Sequence, residues 1–373
     1  MQRLAFVISN MVSGGAARVA SILCAEWVAS GHEVHLITYE DPGTPAIYPI
    51  DSRVVRHQIG LSVSTENAIG FVSNNAARIV RLRRALKKIE PTAVISFLLN
   101  ANITAVLASR GLGVPVLISD RNHPGHDKIS ALRGRIRKLI YPHADRLCVQ
   151  TENIRSWYDQ NMQLDATVIP NPALRTELVP APRQTREFTG RRRATTLGRL
   201  EPQKGFDRLI DAFALIHADV PDWEIAIFGA GEQRAALERQ IASHKLEERI
   251  RLMGTTLEPM AELAASDLYV HSARYEGYPN AVLEALAAGL CVVATDCPGA
   301  TGEILAGGEY GILVPDNDTD ALAAGMKQAM TDSTVRANFA QRAPMALAKI
   351  APGDVAERWL REIENCRGAS VGV

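Results

Sequence analysis

Twice along this chain of 373 residues, short β-branched apolar runs alternate with helix-length amphipathic stretches, and that alternation leaves few folds open. The first half carries LAFVISN, VHLITYE, AVISFLL, PVLISD and RLCVQT as its clearest strands, with helical spacing over stretches such as 16–30, 74–89 and 129–141. The second half carries ATTLGRL, EIAIFGAG, RIRLMGT, LYVHSA, CVVATD and GILVP, with helices expected near 204–218, 232–243, 257–265 and 279–288. A strand separated from the next by a helix can pair with it only in parallel, through a crossover. The pattern therefore predicts an α/β protein with two Rossmann-like, doubly wound parallel-sheet domains facing a cleft. Pro170 to Arg193, with four prolines followed by Arg191-Arg192-Arg193, reads as the linker. The expected division is 1–170, a linker over 171–193, a second domain over 194–350, and a tail over 351–373. Within that tail, 352–366 has the spacing of a last amphipathic helix.

Composition narrows the class. With 47% apolar and 22% charged residues the chain is globular in type, and its net charge is zero. The halves differ, however. Residues 1–180 hold 20 lysines and arginines against 14 acids, and residues 181–373 hold 21 against 27. A basic first half beside an acidic second points to an anionic surface met by the first domain alone. Five scattered cysteines without a C-x-x-C pair suit a reducing compartment. The N-terminus enters a strand pattern directly, and no run of 18 apolar residues occurs, so a cytoplasmic protein is expected. No nucleic-acid partner is expected.

The stretch from Ala273 to Ile304, ARYEGYPNAVLEALAAGLCVVATDCPGATGEI, is the most specific in the chain. Pro279 suits the first position of a helix because its missing N–H would have no partner there. Gly289 supplies the positive φ of a C-terminal cap. Glu276 then lies in the loop before the helix and Glu284 about one turn inside it, and both carboxylates can face one pocket at the helix's positive end. Two spaced glutamates alone would be solvated charges. Inside this turn, helix and strand, the pair resembles the E-x7-E motif of family-4 retaining glycosyltransferases, which have the GT-B fold. The matches extend from about residue 4 to about residue 330.

Other segments join that resemblance. Gly198-Arg199-Leu200-Glu201-Pro202-Gln203-Lys204-Gly205 places two cations at the carboxyl edge of a parallel sheet, where such folds bind ligands. It resembles the family's GRLxxxKG pattern, which implies that Arg199 and Lys204 grip the donor diphosphate. Both lie on loops, so their removal should leave folding little changed. Gly229-Ala230-Gly231-Glu232-Gln233-Arg234 is only a partial dinucleotide fingerprint, since Arg234 stands where a third glycine is needed. By resemblance, Gly229 and Arg234 lie near the nucleotide and Gly254 borders the base pocket. Gly14 and Gly15, after the first strand, open a helix whose N-terminus favours a phosphate. A tight strand-to-helix turn is the better reading of a bare Gly-Gly, and the resemblance to a GGxxR-like element is what favours a donor contact. Asp120-Arg121-Asn122-His123-Pro124 closes a strand and resembles the S-[DE]-R-N-x-P segment of relatives acting on amino-sugar and polysaccharide substrates. Arg121 and His123 are then candidates for the donor phosphate or the acceptor, with local structural roles the alternative. Asp316, Asp318 and Asp320 precede an apolar helix, and capping by Asp318 or Thr319 explains them better than a Ca²⁺ loop. No metal and no cofactor is expected.

The resemblance implies a metal-independent, retaining hexosyltransferase moving a sugar from a nucleoside-diphosphate sugar, by analogy a UDP-sugar, to an acceptor hydroxyl. Glu276 and the backbone of Gly277, Tyr278, Pro279 and Asn280 would hold the donor sugar, and Glu284 the ribose. Many relatives take lipid-linked saccharides, so such an acceptor and a peripheral place at the inner face of the cell membrane are expected. Basic amphipathic stretches support an anionic membrane surface as partner: Arg78, Arg81, Arg83, Arg84, Lys87 and Lys88 in one, Arg133, Arg135, Arg137 and Lys138 in another. Ordinary surface helices are the competing reading. An NAD-dependent Rossmann dehydrogenase and a non-catalytic nucleotide-sugar binder are the rival functions. The first lacks the third glycine and the acidic residue that such a site needs.

Overall fold

The computed structural model describes residues 1–12, 14–61, 68–126, 129–174 and 190–370, with the backbone alone at 68–74 and 369–370. Most of the expected linker, 175–189, and Ser13 therefore lie outside the described residues. Two compact units result: Met1–Pro172 together with Pro352–Val373, and Ala173–Ala351.

The first unit runs β1 (Arg3–Ile8), α1 (Gly15–Ala29), β2 (Glu33–Thr38), β3 (Val55–Gln58), α2 (Ala68–Ile89), β4 (Ala93–Phe97), α3 (Leu99–Ser109), β5 (Val116–Ser119), α4 (Ala131–Ile140), β6 (Arg146–Val149), α5 (Glu152–Met162) and β7 (Ala166–Val168). Its seven strands pair in parallel in the order β3-β2-β1-β4-β5-β6-β7. The order reverses at β1, which is bonded to both β2 and β4. At such a reversal the following loops leave for opposite faces and open a crevice; Gly14 ends the loop after β1 and Gly15 opens α1.

The second unit runs β8 (Arg192–Leu197), α6 (Phe206–Ile216), β9 (Trp223–Phe228), α7 (Arg234–Ser243), β10 (Ile250–Gly254), α8 (Pro259–Ala264), β11 (Leu268–His271), α9 (Asn280–Ala287), β12 (Val292–Asp296), α10 (Thr301–Ile304), β13 (Ile312–Pro315), α11 (Thr319–Thr331) and α12 (Ser333–Ala348). Six parallel strands are ordered β10-β9-β8-β11-β12-β13, with the reversal at β8. Phe206, Phe213, Trp223 and Met326 are buried with Ile225, Ile227 and Val293 of the sheet. Asp318 caps α11, its Oδ1 accepting from the Ala321 amide at 2.8 Å.

The last helix, α13 (Pro352–Ser370), belongs to the first unit. Trp27 of α1 donates its indole N–H to the Ala356 carbonyl at 3.1 Å. The buried Trp359 ring lies 5.5 Å from that of Phe97. All five cysteines are free and buried.

Candidate active site

In the second unit, the candidate donor-site residues Arg199, Lys204, Gly229, Arg234, Gly254, Glu276 and Glu284 end or follow one of four adjacent strands, β10, β9, β8 and β11. Backbone bonds stitch these loops together. The Gly198 amide donates to Phe228 O at 3.0 Å, Leu200 N to Ala230 O at 2.9 Å, and Gly229 N to Gly254 O at 2.7 Å. The loop after β11 is strapped to the loop after β8: Arg274 N donates to Gln203 O at 2.8 Å, and Gln203 Nε2 to Tyr275 O at 3.0 Å. The Arg274 guanidinium clamps Asp207 with two bonds, of 2.7 and 2.5 Å. Burial acts to raise the Asp207 carboxyl, but the paired guanidinium outweighs it and holds the group below its ordinary range.

Two glycines let these backbones approach. Gly205 has φ +64°, and a Cβ there would lie 2.0 Å from the Ser272 carbonyl oxygen. Gly299, on the loop after β12, has φ +136°, and its Cβ would meet the Glu276 carbonyl oxygen at 2.3 Å. No side chain fits either place. The Glu276 amide also donates to Pro298 O at 2.9 Å, so the backbone under this carboxylate is pinned from β12.

The result is a compact charged cluster. Lys204 Nζ lies 2.5 Å from Glu276 Oε1, with the two side chains 18% and 7% exposed. Gly198 leaves room for the lysine stem, since a Cβ there would meet Lys204 Cγ and Cδ at 3.1 Å. Behind the pair stands His271, the last residue of β11, only 3% exposed, with Nε2 3.6 Å from the same Glu276 oxygen. That separation is beyond hydrogen bonding, and Nε2 has no other partner among the described residues. Burial pushes the imidazole down to about 4, with Lys204 acting the same way and Glu276 against, so the ring is neutral near pH 7. Nothing in the run LYVHSA singled out His271. Its one sequence signal is a titratable residue closing an otherwise apolar strand.

Glu284 is buried on α9. Burial raises the buried Tyr269 phenol, and the charges of Glu284 and Glu276 raise it further, so both glutamates of the motif lie near one ring. Pro279 is the residue before α9 rather than its first residue. Its ψ of 92° lies outside the helix, while its carbonyl accepts from Val282 N at 3.0 Å. Gly277 O accepts from Ala300 N at 3.1 Å.

The two cations are placed differently. Arg199 is 66% exposed and pairs with Glu201 of its own loop at 2.9 Å. Lys204, against expectation, is tied into a buried carboxylate, so its removal bears on folding as well as chemistry. Arg234 opens α7, paired with Glu238 at 2.9 Å and donating to Leu252 O at 3.3 Å. Gly254 has φ +78°.

In the first unit, Gly14 precedes α1 with φ +87°, and its carbonyl accepts from Arg18 N at 3.4 Å. Arg121 lies over the Phe97 ring, 4.1 Å from its centre, and donates to Ser119 Oγ at 3.2 Å and to Asn171 Oδ1. His123 is buried. Its Nδ1 accepts from the Gly125 amide at 3.2 Å, so Nε2 carries the proton given to Asn153 Oδ1 at 2.7 Å. Burial lowers the His123 imidazole, helped by His126 and opposed by the Asn153 bond. Beneath this loop Asp120 is buried. It accepts from Tyr141 at 2.6 Å, Asn102 at 3.1 Å and Tyr158, with Arg137 at 3.8 Å.

Comparison with known proteins gives this arrangement a family. Residues 14–172 match the description "Glycosyl transferase 4-like domain" and residues 181–345 match "Glycosyl transferases group 1". An exopolysaccharide phosphotransferase of Streptomyces coelicolor is 28% identical over 308 residues, or 82% of this chain, which spans only 32% of that relative. A Campylobacter jejuni α-1,4-N-acetyl-D-galactosaminyltransferase, named for a diphospho-undecaprenol-linked substrate, is 22% identical, covering 99% of this chain and all of its own. Anabaena HepE, solved with UDP and glucose, superposes with a TM-score of 0.78 at 18% identity, over 98% of this chain and 100% of that one. The two parallel sheets, the loops at their carboxyl edges and both family matches agree: the chain belongs to the group 1, family-4 glycosyltransferases of the GT-B fold.

Proposed function

We propose that this protein is a retaining, metal-independent hexosyltransferase that moves sugar from a UDP-sugar to a hydroxyl of a lipid-linked saccharide. The observation that carries this reading is the Lys204–Glu276 pair, with Glu284 beside it, at the reversal of the second sheet. A departing nucleoside diphosphate gathers charge on its terminal phosphate, and Lys204 and Arg199 are the fixed cations placed to stabilise it. Glu276 and the backbone from Gly277 to Asn280 take the sugar hydroxyls, and Glu284 the ribose. Gly229, Arg234 and Gly254 flank the nucleotide, and Gly14 and Gly15 are the first unit's candidates for a phosphate contact. Arg121 and His123 serve the donor phosphate or the acceptor. By the family resemblance, the acceptor hydroxyl attacks the donor's front face as the bond to the diphosphate breaks, with a leaving-phosphate oxygen accepting the acceptor's proton. HepE's UDP and the undecaprenol-linked substrate named for the Campylobacter relative support the choice of donor and acceptor classes.

A membrane-facing first unit completes the reading, and the side chains favour one helix over the other. On α2, Leu82, Leu86 and Ile89 are buried, while Arg81 and Arg83 are spent on the carbonyls of Ile59, Ala108 and Arg110. On α4, Arg137 turns inward, but Leu132 and Leu139 are 53% and 68% exposed beside exposed Arg135 and Lys138. Apolar and basic side chains on one exposed face suit an anionic headgroup layer. Among the described residues no helix is long and apolar enough to cross a membrane.

Incubation with UDP-, GDP- and dTDP-sugars, followed by thermal shift and by slow hydrolysis, tests the proposal. UDP-sugars should raise the melting temperature and be hydrolysed, and NADH should do neither. Stabilisation by NADH alone would overturn it.

A further inference from the structure

Among the described residues, the buried Nε2 of His271 has no hydrogen-bond partner, and it lies 3.6 Å from Glu276 Oε1. That oxygen already accepts from Lys204 Nζ at 2.5 Å. In the proposed reaction Lys204 is drawn to a diphosphate, whose higher charge competes with the carboxylate for the ammonium. A carboxylate 6% exposed would then lose its cation just when it must hold a sugar hydroxyl. We propose that His271 is the positioning residue that takes over this oxygen, its Nε2–H donating to Glu276 Oε1 as Lys204 turns to the donor. The inference rests on the roles given above to Lys204 and Glu276.

The surroundings favour the exchange. His271 ends a strand hydrogen-bonded on both sides, and its ring stacks with that of Tyr269 at 6.4 Å between centres, so the imidazole is held. The Glu276 backbone is pinned by Pro298 and Gly299, and its carboxylate turns on its own side-chain torsions. Closing the gap needs only about half an ångström to reach hydrogen-bond distance. A neutral imidazole is the right partner: as donor it orients the carboxylate without neutralising it. Lys204 in turn can leave, because Glu276 keeps a hydrogen-bond donor at the oxygen the ammonium gives up.

His271→Leu removes the donor, and His271→Gln places an amide N–H near the Nε2 position. With UDP as nucleotide probe and the UDP-sugar hydrolysed in the donor panel as substrate, both variants should bind UDP within about twofold of native. His271→Leu should lower kcat about 10- to 100-fold, and His271→Gln should recover most of it. In a Glu276→Ala background, His271→Leu should have no further effect, since its partner is gone. Native kcat in His271→Leu beside an impaired Glu276→Ala overturns the proposal alone. So does a loss of UDP affinity matching the loss of kcat, which would mark a structural role. Native kcat in Glu276→Ala overturns the parent reading and this one with it. If His271→Leu does not fold, the native protein decides with ¹⁵N-labelled histidine: the His271 Nε2–H signal should move downfield on adding UDP-sugar but not on adding uridine, which has no diphosphate. An unmoved signal refutes the exchange.

Discussion

Replacing Lys204 with methionine separates what this cation does for the fold from what it does for chemistry. The substitution keeps the stem length that lies across Gly198 and removes only the charge. Glu276 would remain with a side chain 7% exposed and its nearest cation gone. Orphaning one partner of a fully buried pair costs roughly 3–5 kcal/mol, and because Lys204 is 18% exposed the expected loss is about 2–3 kcal/mol. At roughly 2–4 °C per kcal/mol for a unit of this size, the second unit's transition should fall by about 4–12 °C. Turnover should fall about 10²- to 10³-fold, the usual loss when one preformed donor to developing charge is removed. Pairing Lys204→Met with Glu276→Gln should restore most of the melting temperature and none of the activity. Arg199→Ala is the control from an exposed position: a comparable loss of turnover with an unchanged transition. Differential scanning calorimetry and turnover of the identified donor are the two assays. A Lys204→Met protein that melts as native refutes the buried-pair reasoning, and one that turns over as native refutes the phosphate grip.

Three further outcomes follow from the geometry. Glu284→Ala should weaken UDP binding by calorimetry while Glu276→Ala leaves it nearly native and harms transfer; equal losses of UDP affinity contradict the division of roles. His271 is held at about 4 in the folded protein against an ordinary 6.5, so the unfolded chain takes up its proton first. Stability is then fully present above pH 6.5 and is lost as pH falls toward 4, by about 3 kcal/mol for the full shift, and His271→Leu should flatten that part of a melting-temperature profile. Changing Leu132, Arg135, Lys138 and Leu139 together to serine should lower binding to anionic vesicles at low salt by about tenfold or more, at ~1 kcal/mol per basic residue near the surface. Neutralising Arg84, Lys87 and Lys88 of α2 should do less, and the reverse order would reject α4 as the docking face.

The fold was legible because parallel strands covered on both faces print as unbroken apolar runs, and those runs, from LAFVISN to GILVP, are where the sheets are. Elements outside that rule were harder. In α3, the buried Asn102 and Thr104 interrupt the apolar stripe that periodicity needs, and β3 reads VRHQ, an edge strand with little to mark it. The E-x7-E spacing found Glu276 and Glu284 because both lie on one strand-loop-helix passage. Burial, by contrast, has no sequence signature at a single residue. Arg137 and Lys138 look alike as neighbours in a basic helix, yet one faces Asp120 and Trp157 and the other faces solvent. The same limit hid His271, and it hid the difference between Arg199 and Lys204.

What joins Lys204 to Glu276 across 72 positions of sequence is strand order. β8 and β11 are neighbours because the sheet reverses at β8, and parallel pairing puts the carboxyl ends of both on the same edge. Neighbouring strands lie about 4.8 Å apart, so the loops leaving them must either diverge or interlock. Here they interlock. Gly205 gives the loop after β8 room against Ser272, and Gly299 does the same for the loop after β12 against Glu276, so the charged pair rests on backbones held from both sides. A pair on freely diverging loops would pay the entropy of ordering each time a donor bound. Holding the loops beforehand leaves only the Lys204 ammonium and the Glu276 carboxylate to rearrange, so the proposed exchange of partners around that single oxygen needs no ordering of the loops.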